Sequence, residues 1–291
     1  MMPPRKATPR ADRTSQCSME DLTKFREAID AIDGRLIDLL NERARLAQEI
    51  GRIKERNGTP VYAAGRAEQL MRRLVERNEG PLDEMAIRAI YREIMSSSLA
   101  LEKDTVIACE GCVAGRTHFA AKQQFGACVR YTFHGNPAEL FKAVTSGGAD
   151  CGVIPSGDEG PDATVLELLM TSDAQLSSQI VLGGEEGSHP ARYFVLGKGL
   201  NARSGDDQTA LLFHLANHTG ALASTLEPFR AAGVNVISIH SRPAHGGWLH
   251  LFLEVEGHAG DEALQRAVSL LGESGFSPKV CGSYPRMHQD S

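Results

Sequence analysis

The chain has 291 residues, 37 of them acidic and 31 basic, a net charge of −6 and a hydrophobic fraction of 42%. That length exceeds one comfortable core, so two or three domains are expected. The charge balance offers no dominant basic face for nucleic acid or an anionic membrane, and no apolar run approaches the ~20 residues of a membrane span.

The opening residues through Arg13 are polar, with Arg5, Lys6 and Arg10 and no signal-peptide core. They predict a disordered tail over 1–17 and a cytoplasmic chain. From Ser18 the pattern is helical. Ser18 is placed as a cap, with Asp21 three residues on favouring the positive helix end. Leu22, Phe25, Ile29, Ile32, Leu36, Leu39, Leu46, Ile50 and Ile53 recur at steps that keep them on one face. Arg43 falls in that stripe where an aliphatic side chain is demanded. Burying an unpaired guanidinium costs roughly several kcal/mol, so the position requires an anion, from an internal carboxylate or from a ligand. The helix stops at Asn57-Gly58-Thr59-Pro60. A second is expected from Arg66 to Arg77. A third runs to about Lys103 with Pro81 at its first position, where the missing N–H costs nothing. The first helix is ~57 Å long at 1.5 Å per residue, and the next two are too short to cover its stripe. A second copy of the chain must cover the rest, which predicts a dimer.

From Asp104 to about Gly199, strands at 105–108, 129–133, 151–154, 178–182 and 193–196 alternate with helices at 119–125, 138–145 and 163–170. The last two strands have no helix between them. The pattern predicts a small α/β lobe with a mainly parallel sheet. Cys109-Glu-Gly-Cys112 follows the first strand; its spacing is that of a redox pair or of part of a zinc site, but with no second ligand pair at suitable spacing it is read as two small thiols in a turn. Residues 200–207 read as a linker. Beyond it, strand 209–216, helix 221–232, strands 234–242 and 248–256, helix 262–274 and strand 278–282 spell a ferredoxin-like β-α-β-β-α-β unit. His214, His218, His240, His245 and His250 crowd this segment without a spacing that converges them, so surface or satisfied histidines are expected.

Lys54 lies three turns beyond Arg43 on nearly the same face, ~16 Å along the axis, so the two could grip a small dicarboxylate between them. Arg26 is ~25 Å before Arg43 and could join them only from the partner chain. Arg66 opens the second helix. Ser98 and Glu102 share a face of the third at i and i+4.

The segments FREAIDAIDGRLIDLLNERARLAQEIGRIK and REIMSSSLALEK resemble an all-helical chorismate mutase. The α/β lobe and the closing GSYPR resemble the rest of a bifunctional chorismate mutase–prephenate dehydratase, a likeness extending from about Ser18 to Arg286. It implies three parts: an all-α intertwined helical dimer domain over 18–103, a truncated dehydratase-like α/β lobe over 104–199, and an α+β ferredoxin-like ACT domain over 208–286. Carried over by position, Arg26 of the partner chain and Arg43 bind the substrate carboxylates. Lys54 holds a carboxylate and the ether oxygen, Arg66 shapes the pocket, and Ser98 meets the substrate's polar edge. Glu102 stands where the family places its second ether-oxygen donor. The implied reaction is a unimolecular pericyclic rearrangement needing no nucleophile, metal or cofactor; catalysis comes from holding the reactive conformer and stabilising charge on the breaking ether oxygen. As a carboxylate Glu102 would repel that charge, so turnover is expected to fall as pH rises through its ionisation.

Several residues depart from the family. Ala67 follows Arg66 where the family has a glutamate on the substrate hydroxyl, and Ala63 supplies no carboxylate either. Losing that hydrogen bond costs roughly 0.5–1.5 kcal/mol. Isochorismate pyruvate-lyases share the scaffold with an apolar residue there, which leaves lyase activity as a second reading. A third is a catalytically silent sensor or regulatory partner. In the lobe, Ala191-Arg192-Tyr193 replaces the catalytic Thr-Arg-Phe and Ser156-Gly157-Asp158 replaces Glu-Asn-Ser, so dehydratase activity is not expected. In the ACT segment, Gly220-Ala221-Leu222 matches the loop-to-helix motif that meets an effector carboxylate. Ser241, Arg242 and Pro243 match the Glu-Ser-Arg-Pro element, with His240 replacing the glutamate. The unit is read either as the site of an aromatic amino acid effector or as a plain dimerisation module.

Overall fold

The computed structural model describes residues 13–60, 62–157, 159–183 and 190–287. Helix α1 spans Arg13–Asn57, so Ser18 lies within it rather than capping it. Residues 1–12 of the expected tail lie outside the described residues. α1 stops where Gly58 adopts φ +63 and the Thr59 N–H donates to Lys54 O at 2.9 Å, the reversal that glycine permits beyond a helix end. One compact unit ends at Ala47 and a second begins at Gln48.

Helix α2 is Ala64–Glu76 and α3 is Glu84–Glu102. Pro81 is not the first residue of α3. Asp83 caps the helix instead, its carboxylate accepting from Ala86 N at 2.7 Å, because a side-chain acceptor satisfies an orphan N–H that proline merely lacks.

In the α/β lobe, β1 (Val106–Glu110), β2 (Arg130–His134) and β3 (Cys151–Pro155) alternate with α4 (Arg116–Phe125), α5 (Pro137–Ser146) and α6 (Ala163–Thr171), and β4 (Ala174–Leu182) and β5 (Ala191–Lys198) close the sheet. The order is β2-β1-β3-β5-β4. β1 pairs in parallel with β2 and β3, but β5 runs antiparallel to both β3 and β4. The sheet is therefore half parallel, not mainly so: without a helix between them β4 and β5 can only double back. Phe125, Ala120 and Ala121 of α4 fill one face with Ile107, Val153 and Val195. Leu140, Leu166 and Leu169 of α5 and α6 fill the other. Cys109 belongs to strand β1 and is buried, while Cys112 is exposed, so they are not two thiols of one turn.

The terminal unit contains β6 (Asp207–Ala216), α7 (Ala221–Ala232), β7 (Val236–Pro243), β8 (Trp248–Glu256), α8 (Glu262–Glu273) and β9 (Lys279–Pro285). Its antiparallel sheet has the order β7-β8-β6-β9. Alternation along β6 splits its residues: Leu211, Phe213 and Leu215 join a core with Phe229, Leu264 and Leu271 of α7 and α8. Ala210 and Leu212 face the other way and share a core with Leu176, Phe194 and Leu196 of the lobe. Lobe and terminal sheet thus have no solvent layer between them. Gly282 makes the closest approach; a Cβ there would collide with the Leu176 backbone. Buried Glu254 joins the two sheets. Its Oε1 accepts from Gln179 Nε2 of β4 at 2.8 Å, Gln208 Nε2 at 3.1 Å and the Tyr284 hydroxyl at 2.6 Å, and its Oε2 accepts from Ser238 Oγ at 2.6 Å. Among the described residues, no helix is long and apolar enough to cross a membrane.

Candidate active site

Glycine starts the site. A Cβ on Gly51 of α1 would fall 2.8 Å from both Cα and O of Glu102, so only a residue without one lets the last turn of α3 lie against α1. Three residues on, the next side chain of that helical face is Lys54. Its Nζ donates to Glu102 Oε2 at 2.8 Å, with the side chains 22% and 9% exposed. Partial shielding from water makes this pair stronger than a surface ion pair. An ammonium and a carboxyl are therefore held together in a setting where both can address one polar atom of a ligand.

Ser98, one turn before Glu102, is buried, and its Oγ donates to Ile94 O at 2.9 Å. Arg66 on α2 is exposed and Ala67 half-buried. Glu68, one residue beyond Ala67, is turned to Arg72 Nε at 3.2 Å and supplies no replacement carboxylate at the Ala67 position. The second unit thus brings together two of the expected residues, Lys54 and Glu102, with Ser98 one turn away on the same helix.

Arg26 and Arg43 belong to the first unit. Arg26 is exposed and Arg43 half-buried. The stripe that Arg43 interrupts is open within one chain: Phe25 is 67% exposed, and Leu39 and Leu46 are 60%.

The expected effector residues fall on two elements. Gly220 adopts φ +86 and precedes α7, with Ala221 buried and Leu222 exposed. On β7 the alternation of the strand separates the rest. Ser241 and Pro243 are exposed. His240 lies 6.3 Å from the Phe252 ring and against Gly160, where a Cβ would collide with the imidazole. Arg242 Nη2 donates to Glu159 O at 2.7 Å. These two therefore hold the loop between β3 and α6. Ala191, Arg192 and Tyr193, expected at the place of the dehydratase motif, open β5, where Arg192 O accepts from Ser156 N at 2.9 Å. Asp158 lies outside the described residues.

Sequence spacing missed two features. His214 and His250 face each other across β6 and β8 with rings 4.9 Å apart; only the strand register reveals the pair. His250 Nε2 also lies 3.2 Å from Glu167 Oε2, and burial beside His214 holds its pKa below the usual histidine value against the pull of Glu167. The second feature is the close contact at Gly51, for which the signal is a glycine inside a long helix with no turn to explain it.

Residues 25–103 match the family described as chorismate mutase type II, and residues 209–269 match the ACT domain family. A bifunctional chorismate mutase/prephenate dehydratase of Aquifex aeolicus (strain VF5) is 27% identical over 357 residues, covering 92% of this chain and 99% of that protein. One from Neisseria gonorrhoeae (strain ATCC 700825 / FA 1090) is 28% identical over 360 residues, covering 93% and 99%. The X-ray structure of prephenate dehydratase from Streptococcus mutans is similar with a TM-score of 0.54 at 25% identity, covering 62% of this chain and 100% of that one.

Proposed function

Because the chain belongs to the bifunctional chorismate mutase–prephenate dehydratase family, we propose that it rearranges chorismate to prephenate at a site built on Lys54, Glu102 and Arg43. The setting is aromatic amino acid biosynthesis in the cytoplasm. The observation that carries this reading is the shielded Lys54–Glu102 pair, set by the close approach at Gly51. When substrate enters, Lys54 turns from Glu102 to the ether oxygen and the adjoining carboxylate. The Glu102 carboxyl stands beside the same oxygen, at the place of a second ether-oxygen donor. Ser98 meets the polar edge, Arg66 shapes the rim, and Arg43 with the partner chain's Arg26 grips the carboxylates. The open stripe of α1 supports the dimer this requires. The boundaries proposed for the three parts are 18–103, 104–199 and 208–286.

Dehydratase activity is proposed to be lost. The 357-residue alignment with the Aquifex aeolicus protein covers 92% of 291 residues, about 268, so close to 90 of its positions have no counterpart here. Ala191 also offers no hydroxyl where the family carries threonine. A second reading is pyruvate elimination from isochorismate, which Ala67 favours. The test is to incubate purified protein with chorismate, isochorismate and prephenate separately and identify the products by NMR. Prephenate from chorismate alone is the expected outcome; pyruvate from isochorismate would replace the first reading with the second. Phenylpyruvate formed from prephenate would restore the dehydratase.

A further inference from the structure

The α/β lobe holds the end of α3 on which Glu102 sits. One residue beyond Glu102, Lys103 begins a three-residue joint leading into β1 at Val106. Asp150, immediately before β3, spans that joint. Its Oδ1 accepts from Lys103 Nζ at 2.7 Å and its Oδ2 from Val106 N at 2.9 Å, while its own N–H donates to Val106 O at 2.8 Å. Inside the joint, the Thr105 hydroxyl reaches Leu99 O and Lys103 O, both at 3.2 Å. The lobe also grips α3 further back. Glu93 Oε2 accepts from Ala127 N at 2.9 Å and Ser96 Oγ from Cys128 N at 3.0 Å. Ser96 and Ser98 are two residues apart, about 200° around the helix. One face of α3 is therefore committed to the lobe while the other carries Ser98 and Glu102.

Resting on the reading of Glu102 as a site residue, we propose that Asp150 is a positioning residue for the mutase reaction, and that the lobe is retained because it fixes the last turn of α3. Gly51 bars Glu102 from moving toward α1, since the backbones already touch. Asp150 bars the opposite movement by tying the helix end to the sheet. Between these limits the Glu102 carboxyl keeps one position relative to Lys54. Held geometry of this kind matters most where charge develops in the transition state and little for binding the ground state. The lobe thus serves the reaction of the helical segment without touching its substrate.

The test uses the full chain with chorismate as substrate. Asp150→Ala is expected to lower kcat about tenfold while KM changes less than about twofold. Lys103→Met removes only the exposed arm of the bridge and is expected to lower kcat about threefold, which carries the test if the Asp150 variant does not fold. In a Glu102→Ala chain there is no carboxyl left to position, so adding either change should alter kcat by less than about twofold. The proposal is overturned if both variants, folded by circular dichroism, keep the parental kcat, or if they slow the Glu102→Ala chain by the same factor as the parent. If Glu102→Ala itself leaves turnover unchanged, the site reading fails, and the positioning role with it.

Discussion

At the scale of single residues, small groups and buried polar atoms set the site more than the charged residues that announce it. Gly51→Ala would push a methyl into the Glu102 backbone at 2.8 Å. Such overpacking costs about 1–3 kcal/mol, and here it would also part Lys54 from Glu102. The expected result is a lower midpoint of thermal unfolding together with a fall in kcat; unchanged values in both measurements would show that the helices yield freely there. His250 gives a pH prediction with a definite sign. Burial and His214 hold its pKa below that of an exposed histidine, with Glu167 pulling the other way. The unfolded chain therefore takes up a proton more readily than the folded one. The stability this contributes is full above the ordinary histidine pKa of about 6.5 and is lost below it, as pH falls through the lower value of the folded chain. Urea unfolding across this range should show the loss, and His250→Gln should flatten it; an equally steep variant would assign the loss elsewhere.

At the scale of elements, legibility followed the physics of each signal. The helix α1 was readable because its apolar period is long and unbroken apart from Arg43, and β6 to β9 because short alternating strands flank two amphipathic helices. Pro81 misled because proline suits a first helical turn but cannot compete with the capping carboxylate of Asp83 two residues on. The direction of β5 was hidden in the absence of a crossover helix. Asp150 was invisible, since nothing in an Asp-Cys step before a strand says that its oxygens bridge a helix end 47 residues earlier. Exposed apolar side chains on α1 carry the prediction proper to this scale. Leu36→Asp with Leu39→Asp would place charges on the open stripe and should convert a dimer to a monomer by light scattering, with mutase turnover lost. A dimer that persists would place its interface elsewhere.

For the whole molecule, lobe and terminal sheet share one core, and Glu254 ties β4 to β6, β7 and β9 through four donors. An effector bound near β7 would act beside Ser238, His240 and Arg242, all already engaged with Glu254 or the lobe. Calorimetric titration with phenylalanine distinguishes effector binding, which gives heat, from plain dimerisation, which gives none. The central claim is that two chains share each mutase site, with Arg26 given by one and Lys54 by the other. Chains carrying Arg26→Ala and chains carrying Lys54→Ala should each be nearly inactive with chorismate. Unfolded together and refolded as an equal mixture, they should recover about a quarter of wild-type turnover, because half the dimers then hold one intact site of two. Two inactive variants that stay inactive when mixed, despite forming mixed dimers, would contradict the account.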